Sequence, residues 1–276
     1  MRVVQILPEL NEGGVERGVV ELNREFARRG IENFVISNGG KLAPKIENEG
    51  GVHVQLDVCS KNILSVAARV LKLRKILSEI APDIVHVRSR VPAWLVKFAR
   101  PKAKIVSTVH GINSVNFYSK IMTDVDAIIC PSSYTRDHVV RSYGADAAKI
   151  TIIPRGIDLE KFNPKNLDEH FIGEFRQNFN LAQDDFIVSS IGRITQIKDY
   201  KTLIRAAALA SEQKLKILIV GGVRADRDEY FSELKSLVAE LGLGERVIFA
   251  SSQSKVAEIY SLSSVTVSAS SKPESF

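Results

Sequence analysis

The segment SIGRITQIK, residues 190–198, follows an apolar run and precedes a helical pattern. The run 186–191 has the composition of a buried parallel strand. In an open α/β sheet, ligands bind on loops between the carboxyl end of a strand and the next helix. The loop carries Gly192, Arg193 and Lys198, and the start of the helix adds N–H groups and a partial charge of about +0.5. A glycine and two cations there predict a diphosphate site, although a solvated surface loop often carries the same residue types.

Short apolar runs alternate with helical patterns along the rest of the chain. Strands are predicted at 2–7, 33–37, 84–87, 105–109, 127–130, 150–153, 186–191, 216–220, 247–250 and 265–269, and helices at 15–28, 63–80, 133–143, 200–213, 228–241 and 254–262. This alternation predicts doubly wound parallel sheets of the α/β class. The polar segment 158–183 interrupts the rhythm and is interpreted as a linker, which predicts one domain over 1–160 and a second over 161–276.

Composition narrows the class of protein without naming a function. The 276 residues are 45% hydrophobic and 25% charged, with a net charge of +6, as in ordinary globular proteins. The basic residues are spread along the chain and aromatic residues make up 7%, which disfavours nucleic acid as a partner. Cys59 and Cys130 form no disulfide framework or metal motif and are predicted to be buried thiols. No signal peptide or membrane span is seen, so the cytoplasm is the expected location.

Two further loops in the first half carry candidate ligand-binding residues. Gly13 and Gly14 open the first helix, where paired glycines allow close contact with a phosphate or a sugar. The pattern is not G-x-G-x-x-G, so a nicotinamide enzyme is not indicated. His110 follows the strand at 105–109, and an imidazole there could donate a hydrogen bond to a substrate hydroxyl or phosphate oxygen. Ordinary loop glycines and a structural histidine remain the alternatives.

Other reactive side chains give weaker signals. Asp226–Arg227–Asp228 has a spacing that binds divalent cations in some glycosyltransferases, but it leads into a helix, where capping is the preferred interpretation. Ser133 and Cys130 have no partnered base at a recognisable spacing, so the sequence does not support nucleophilic catalysis.

Taken together, five segments resemble one family. They are GGVER (13–17), TVHG (108–111), IPRGID (153–158), GRITQIK (192–198) and SSKPESF (270–276). In this order they resemble glycosyltransferase family 4, and the last segment is most similar to enzymes of the lipopolysaccharide core. The resemblance implies the GT-B fold, with two Rossmann-like domains, and a retaining transfer of a sugar from a nucleotide-diphosphate donor to a sugar or lipid-linked acceptor.

The resemblance also implies roles for individual residues. Arg193 and Lys198 would bind the donor diphosphate beside Gly192, while Gly13 and Gly14 would approach the donor from the first domain. His110 would contact the donor sugar, and Glu274 would hold its hydroxyls as the first carboxylate of a Glu-(x)7-Glu motif. No metal and no further cofactor are expected, because fixed cations meet the charge on the departing nucleotide.

The family pattern continues beyond Phe276 with a second glutamate, further strands and a crossover helix, so the second domain is expected to be incomplete. A catalytically inactive remnant or binding module of the family is therefore an alternative. A sugar-nucleotide epimerase of the same fold would need paired carboxylate and histidine groups that are not evident. Acceptor contacts are expected on the loops 41–51 and 88–90, which also leave peripheral contact with the inner membrane open.

Overall fold

The computed structural model describes residues 1–11, 13–223 and 228–272. The chain divides into two compact units, and the division falls between Arg155 and Gly156.

The first unit contains one parallel sheet of seven strands. The strands are β1 (Arg2–Ile6), β2 (Glu32–Ser37), β3 (Val52–Gln55), β4 (Ile84–Val87), β5 (Lys104–Thr108), β6 (Ala127–Cys130) and β7 (Ile150–Ile152). The helices are α1 (Gly14–Arg28), α2 (Ala43–Asn48), α3 (Val66–Ile80), α4 (Arg90–Ala99), α5 (Phe117–Lys120) and α6 (Ser133–Tyr143). The strand order β3-β2-β1-β4-β5-β6-β7 confirms the doubly wound sheet.

Both faces of this sheet are buried. Successive residues of a strand point to opposite faces. Val35 accordingly packs with Val19 and Ile46 of α1 and α2, whereas Ile36 packs in the cluster that contains Leu73 of α3 and Val96 of α4. Burial on both faces explains why these strands read as continuous apolar runs.

The second unit repeats the plan with fewer described strands. They are β8 (Phe186–Ile191), β9 (Leu215–Val220), β10 (Val247–Phe249) and β11 (Val265–Thr266), and the helices are α7 (Glu169–Asn178), α8 (Tyr200–Leu209), α9 (Asp228–Glu240) and α10 (Val256–Leu262). The order is β10-β9-β8-β11, with every pair parallel. Helices α8 and α9 cover one face and α7 and α10 the other.

Several sequence predictions need correction. The segment 158–183 is not a plain linker, because α7 lies within it and Phe175, only 4% exposed, belongs to the core of the second unit. The loop predicted over 41–51 contains α2 and leads into β3, a strand that the sequence pattern did not reveal. Helix α4 was also missed, and it begins at Arg90, the end of the predicted loop 88–90.

Candidate functional site

The predicted diphosphate loop follows β8, which lies between β9 and β11. The Gly192 N–H donates to the Val220 carbonyl at 2.8 Å, and the Ile194 N–H donates to the Gly222 carbonyl at 3.1 Å. The loop therefore continues along the neighbouring chain beyond the end of the strand, and a 3-10 turn, Gln196–Lys198, then leads towards α8. These backbone bonds fix the loop at the carboxyl edge of the second sheet.

The side chain of Lys198 folds back over Gly192. Its Cε lies 3.1 Å from the position that a Cβ on Gly192 would occupy, and the hydroxyl of Tyr200 lies 3.4 Å from the same position. That hydroxyl donates to the Gly192 carbonyl at 2.8 Å, and Tyr200 is fully buried. Arg193 is exposed beside them. The structure thus brings Gly192, Arg193 and Lys198 together on one loop, and the ligand that they bind stays a prediction.

A second glycine makes this arrangement of the backbone sterically feasible. A Cβ on Gly221 would lie 1.8 Å from the carbonyl oxygen of Gly192 and 3.3 Å from the N of Arg193. Because both contacts are with backbone atoms, a side chain at position 221 would force the two loops apart. Gly221 is therefore a residue of the site that the sequence analysis did not assign.

The helix that follows the loop is capped by a side chain of its own. Asp199 adopts a left-handed conformation with φ of 47° and caps α8. Its carboxylate accepts from the Thr202 hydroxyl at 2.8 Å and from the Thr202 N–H at 3.4 Å. The expectation that helix N–H groups add to the anion site is wrong for Thr202, because the carboxylate of the chain itself occupies that place.

The segment that leads to the terminal motif runs beside this loop. Ser271 donates its N–H to the Ile197 carbonyl at 2.9 Å, and its hydroxyl lies 3.3 Å from the same oxygen. The residues after β11 therefore reach the loop that carries Lys198. Glu274 itself lies outside the described residues, so its predicted role stays a prediction.

In the first unit, the glycine pair stands at the start of α1. A Cβ on Gly13 would lie 2.2 Å from a carboxylate oxygen of Glu16, so this acidic side chain covers the backbone that the sequence analysis gives to a phosphate. Gly14 is exposed, and its carbonyl accepts a hydrogen bond from Arg155. Arg155 Nη2 also lies 3.5 Å from the Glu21 carboxylate. Contact of a phosphate with Gly13 would require Glu16 to move.

His110 lies at the carboxyl end of β5, as predicted, in a strongly positive environment. Burial, followed by the charges of Arg88 and Arg155, lowers the pKa of His110 to about 3, so the ring is neutral at physiological pH. Its Nε2 is buried and has no hydrogen-bond partner in the part of the chain that the structure describes. A neutral imidazole with a spare nitrogen can exchange a hydrogen bond with a hydroxyl or an oxyanion.

Arg88 and Arg155 are the charged groups near His110, and the sequence analysis gave Arg155 no individual role. Arg88 was placed on an acceptor loop, but it is 8% exposed, and its Nη2 donates to the Gln5 amide oxygen at 2.6 Å. The sequence signal was an arginine directly after a buried strand. Its partner lies 83 residues away, which no local pattern reveals.

The remaining predictions concern the Asp226–Arg227–Asp228 motif, metal sites, membrane spans and the two cysteines. Asp226 and Arg227 lie outside the described residues, so the interpretation of that motif stays open. Within 1–11, 13–223 and 228–272, no three His, Cys, Asp or Glu side chains are grouped to hold a metal, and no helix has the length and apolar character of a membrane span. Cys130 is buried as predicted, whereas Cys59 is partly exposed.

Comparison with protein families gives two adjacent matches. Residues 12–161 match the family described as Glycosyltransferase Family 4, and residues 171–276 match the family described as Glycosyl transferases group 1.

Curated relatives share the name D-inositol 3-phosphate glycosyltransferase. The protein from Mycobacteroides abscessus is 30% identical over 96% of this chain and 66% of its own length. The protein from Actinosynnema mirum is 26% identical over 90% of this chain and 68% of its own. The chain thus spans about two thirds of the length of these relatives.

Solved structures give the same architecture. A glycosyltransferase from Rickettsia africae is 27% identical with a TM-score of 0.89, over 100% of this chain and 74% of that one. Alr3699/HepE from Anabaena, in complex with UDP and glucose, is 19% identical with a TM-score of 0.84, over 100% of this chain and 76% of that one. WaaG, a glycosyltransferase involved in lipopolysaccharide biosynthesis, is 15% identical with a TM-score of 0.73, over 98% and 75%.

Proposed function

Because the chain belongs to glycosyltransferase family 4 and has the GT-B fold, we propose that it transfers a sugar from a nucleotide-diphosphate donor to an acceptor with retention at the anomeric carbon. The observation that carries this proposal is the loop after β8. There the Gly192 backbone, the folded-back Lys198 and the exposed Arg193 lie together at the carboxyl edge of the sheet.

The chemistry of this transfer fits those residues. The departing nucleotide gathers negative charge as the glycosidic bond breaks, and fixed cations stabilise that charge in the transition state. Arg193 can bind two phosphate oxygens with its planar guanidinium, and Lys198 adds a compact point charge. We therefore propose that bond breaking at this loop uses no metal ion.

We further propose roles for the remaining predicted residues. Neutral His110 would exchange a hydrogen bond with the donor sugar through its unpartnered Nε2. Gly13 and Gly14 would contact the donor after displacement of the Glu16 carboxylate, and Glu274 would hold the hydroxyls of the donor sugar. Each assignment rests on the residue type and its place in the family pattern.

The substrates are proposed from what similar proteins are named for. HepE was solved with UDP and glucose, which makes UDP the first nucleotide to test. The curated relatives are named for an inositol phosphate acceptor, whereas WaaG is named for lipopolysaccharide biosynthesis. We propose a sugar or lipid-linked acceptor for this chain, in the synthesis of a cell-surface glycan.

A patch on the first unit supports peripheral contact with a membrane surface. Phe117 is 78% exposed, and the Trp94 ring lies 5.4 Å from it and 6.3 Å from the Tyr118 ring, measured between centroids. Lys97 lies over the Trp94 ring and Arg90 over the Tyr118 ring. Aromatic rings surrounded by cations fit the interface of an anionic bilayer.

Vesicle sedimentation would test this contact. We expect binding to vesicles with anionic lipid, weaker binding to neutral vesicles, and loss of binding in Phe117→Ser. Phe186→Ser, which changes an exposed phenylalanine of the second unit, is the matched control. Equal binding of the two variants would contradict the proposed surface.

Calorimetric titration with UDP, GDP and ADP tests the donor site. We expect one nucleotide to bind the unchanged chain and the Arg193→Ala/Lys198→Ala variant to lose at least about a hundredfold in affinity, because two charge-assisted contacts are removed. Arg205→Ala/Lys214→Ala removes the same charge from the second unit: Arg205 lies on α8, and Lys214 pairs with Asp184 before β9. That control should bind as the unchanged chain does.

The outcomes separate the alternatives. Binding that vanishes in the loop variant would identify the nucleotide to use in transfer assays, where the anomeric configuration of the product tests retention. Binding without turnover of any donor would favour the inactive binding module. Failure of a folded chain to bind all three nucleotides would contradict the proposed function.

A further inference from the structure

Arg88 is a buried positive charge at a ligand-binding position of the first sheet. It follows β4 directly, and its backbone N–H donates to the Ile6 carbonyl at the end of β1 at 3.0 Å. The strand order reverses between β1 and β4, and the crevice outside the carboxyl ends at such a point is where open α/β sheets bind ligands. Burial and the nearby Arg155 lower the pKa of Arg88 to about 10, which leaves it charged at neutral pH.

A relay of buried amides holds one side of this arginine. Arg88 Nη2 donates to Gln5 Oε1 at 2.6 Å, and Gln5 Nε2 donates to Asn33 Oδ1 at 3.2 Å. Asn33 Nδ2 donates to Asn23 Oδ1 at 2.8 Å, and Asn23 Nδ2 ends the relay on the Ile46 carbonyl at 3.0 Å. The guanidinium is thus fixed by a neutral oxygen, while its buried Nε has no partner among the described residues.

The groups that surround Arg88 add positive charge. Arg155 acts on both Arg88 and His110, and these two arginines, after burial, depress the pKa of His110. His86, whose Nε2 lies 2.7 Å from the Thr108 hydroxyl, has a pKa lowered by burial, then by Arg88 and His110. Across the described ranges, no ion pair joins Arg88 to a carboxylate. Arg88 is therefore left without a carboxylate partner among the described residues, whereas Arg155 has Glu21.

Another buried arginine of the same unit shows the usual solution. Arg69 is 6% exposed, and it donates to the carbonyls of Ser60 at 2.8 Å and Asn62 at 3.1 Å. The pKa of Asp57 is lowered mainly by the hydrogen bond from the Ser60 N–H and to a smaller extent by the charge of Arg69, so this carboxylate lies within electrostatic range of Arg69. The Nε of Arg69, like that of Arg88, has no partner among the described residues, so the two arginines differ in acceptors and charge: Arg69 has two carbonyls and a nearby carboxylate, whereas Arg88 has one amide oxygen and other cations. A buried charge without compensation is costly, which points to a partner outside the chain.

We propose that Arg88, beside the charge of Arg155, forms an oxyanion-binding site, and that this site takes the phosphate or carboxylate group of an anionic acceptor. The guanidinium of Arg88 has five N–H donors, of which one is used by Gln5, and its planar fork matches both oxygens of such a group. The assignment to the acceptor rests on the proposed function, which gives the donor diphosphate to the loop after β8.

Inorganic phosphate is the probe for this site. The unfolding midpoint of the full chain is measured against phosphate concentration at constant ionic strength, in the Arg193→Ala/Lys198→Ala background, so that the loop of the second unit does not contribute. We expect the midpoint to rise with phosphate by mass action. Adding Arg88→Gln should raise the phosphate needed for the same stabilisation at least about tenfold, whereas the matched control Arg69→Gln should keep the response.

A second measurement covers variants whose stability changes. The ³¹P line width of phosphate reports binding to folded protein at 25 °C, and we expect broadening by the background chain, less by Arg88→Lys, and least by Arg88→Gln. An equal response in the background chain and Arg88→Gln would overturn the proposal, as would the absence of any response in the background chain.

Titration with the nucleotide separates this site from the donor site. Arg88→Gln in the otherwise unchanged chain should bind the nucleotide with unchanged affinity. Loss of nucleotide binding in that variant would give the oxyanion site to the donor and overturn the assignment to the acceptor. If the unchanged chain binds phosphate through Arg88 but no nucleotide, the oxyanion site stands and the proposed function fails.

Discussion

The carboxyl edges of the two sheets present their cations in opposite ways. At the second sheet, Arg193 is exposed and Lys198 is half-buried on a loop fixed by backbone contacts. At the first, Arg88 is buried and held by a relay of amides, and the backbone glycine at the start of α1 is covered by Glu16.

The difference separates two ways to bind an anion. Exposed cations on a glycine-bearing loop suit a large, multiply charged ligand such as a diphosphate, because the backbone sets the position and the side chains adapt. A buried, preorganised guanidinium suits one small group, because its charge interacts more strongly in a medium of low dielectric constant. We therefore expect the second edge to lose most stability when a closely packed glycine is replaced, and the first edge to lose most when a buried polar side chain is replaced.

The largest effect should come from Gly221→Ala in the second unit. The new Cβ would lie 1.8 Å from the Gly192 carbonyl oxygen, and overpacking against backbone should cost about 3–4 kcal/mol of unfolding free energy. Urea denaturation measures it. Gly222→Ala is the control, since its Cβ would lie 3.7 Å from the Ser252 Cβ, an ordinary contact. Equal losses in the two variants would show that the close approach is not what requires glycine.

The polar support of the first edge is tested by Gln5→Leu. This change removes the acceptor of Arg88 and the donor to Asn33, and the groups left unpaired should cost about 2–3 kcal/mol. The control is Gln55→Leu, at an exposed glutamine whose Nε2 lies 3.5 Å from the Asn38 carbonyl. A loss in Gln5→Leu no larger than in this control would mean that the relay does not stabilise the first unit.

His110 should make the first edge sensitive to acid. Its pKa is about 6.5 in the unfolded chain and about 3 in the folded one. The unfolded state therefore binds more protons below pH 6.5, and stability is lost as the pH falls from there towards 3. Because the ring is partly solvated, we expect a loss of about 1 kcal/mol between about pH 6.5 and pH 5.

Denaturant unfolding at several pH values would measure this loss. His110→Gln should reduce the slope of the profile, leaving the share of buried His86, whose pKa is also lowered by burial, while His170→Gln, at an exposed position on α7, should leave the profile unchanged. A profile that keeps its slope in His110→Gln would show that another group causes the acid sensitivity.

The smallest effect concerns the two helix starts. The side chain of Asp199 caps α8, whereas α1 begins at Gly14, after Gly13, without a side-chain cap. Asp199→Ala should therefore cost about 1 kcal/mol of unfolding free energy, while Asp199→Asn keeps an oxygen for Thr202 and tolerates the left-handed backbone. Thermal unfolding would compare them, and an equal loss in both would show that the charge of the carboxylate matters rather than the cap.

Features determined locally were predicted well from the sequence. Helix α6 begins after Ser132, whose hydroxyl accepts from the Thr135 N–H, and ends before Gly144, whose φ is 65°. Strand β8 was predicted with its observed bounds. Cap chemistry and an uninterrupted apolar run lie within a few residues, so the sequence alone shows them.

What was missed depends on distant partners or on short elements. Helix α4 has Pro92 in its first turn, where proline is tolerated, but a proline inside a short apolar segment is ordinarily taken as a sign that a helix does not form there. Strand β3 has only four residues, and its pairing with β2 determines its place. The sequence placed Arg88 on a predicted acceptor loop, but it could not show that Arg88 is buried, because the polar groups around it, from Gln5 to Arg155, come together only in the folded unit.

The amide relay beneath Arg88 has a direction that its far end dictates. A backbone carbonyl such as that of Ile46 can only accept, so Asn23 must turn its NH₂ towards it and its oxygen towards Asn33. Asn33 must then donate its NH₂ to Asn23 and accept from Gln5 with its oxygen. Gln5 uses its NH₂ on Asn33, so its oxygen faces position 88. The carbonyl oxygen of Ile46, four hydrogen bonds away, therefore determines that the side chain at position 88 must be a hydrogen-bond donor. A side chain that can donate pairs with the Gln5 oxygen, whereas one that can only accept leaves this oxygen without a hydrogen bond.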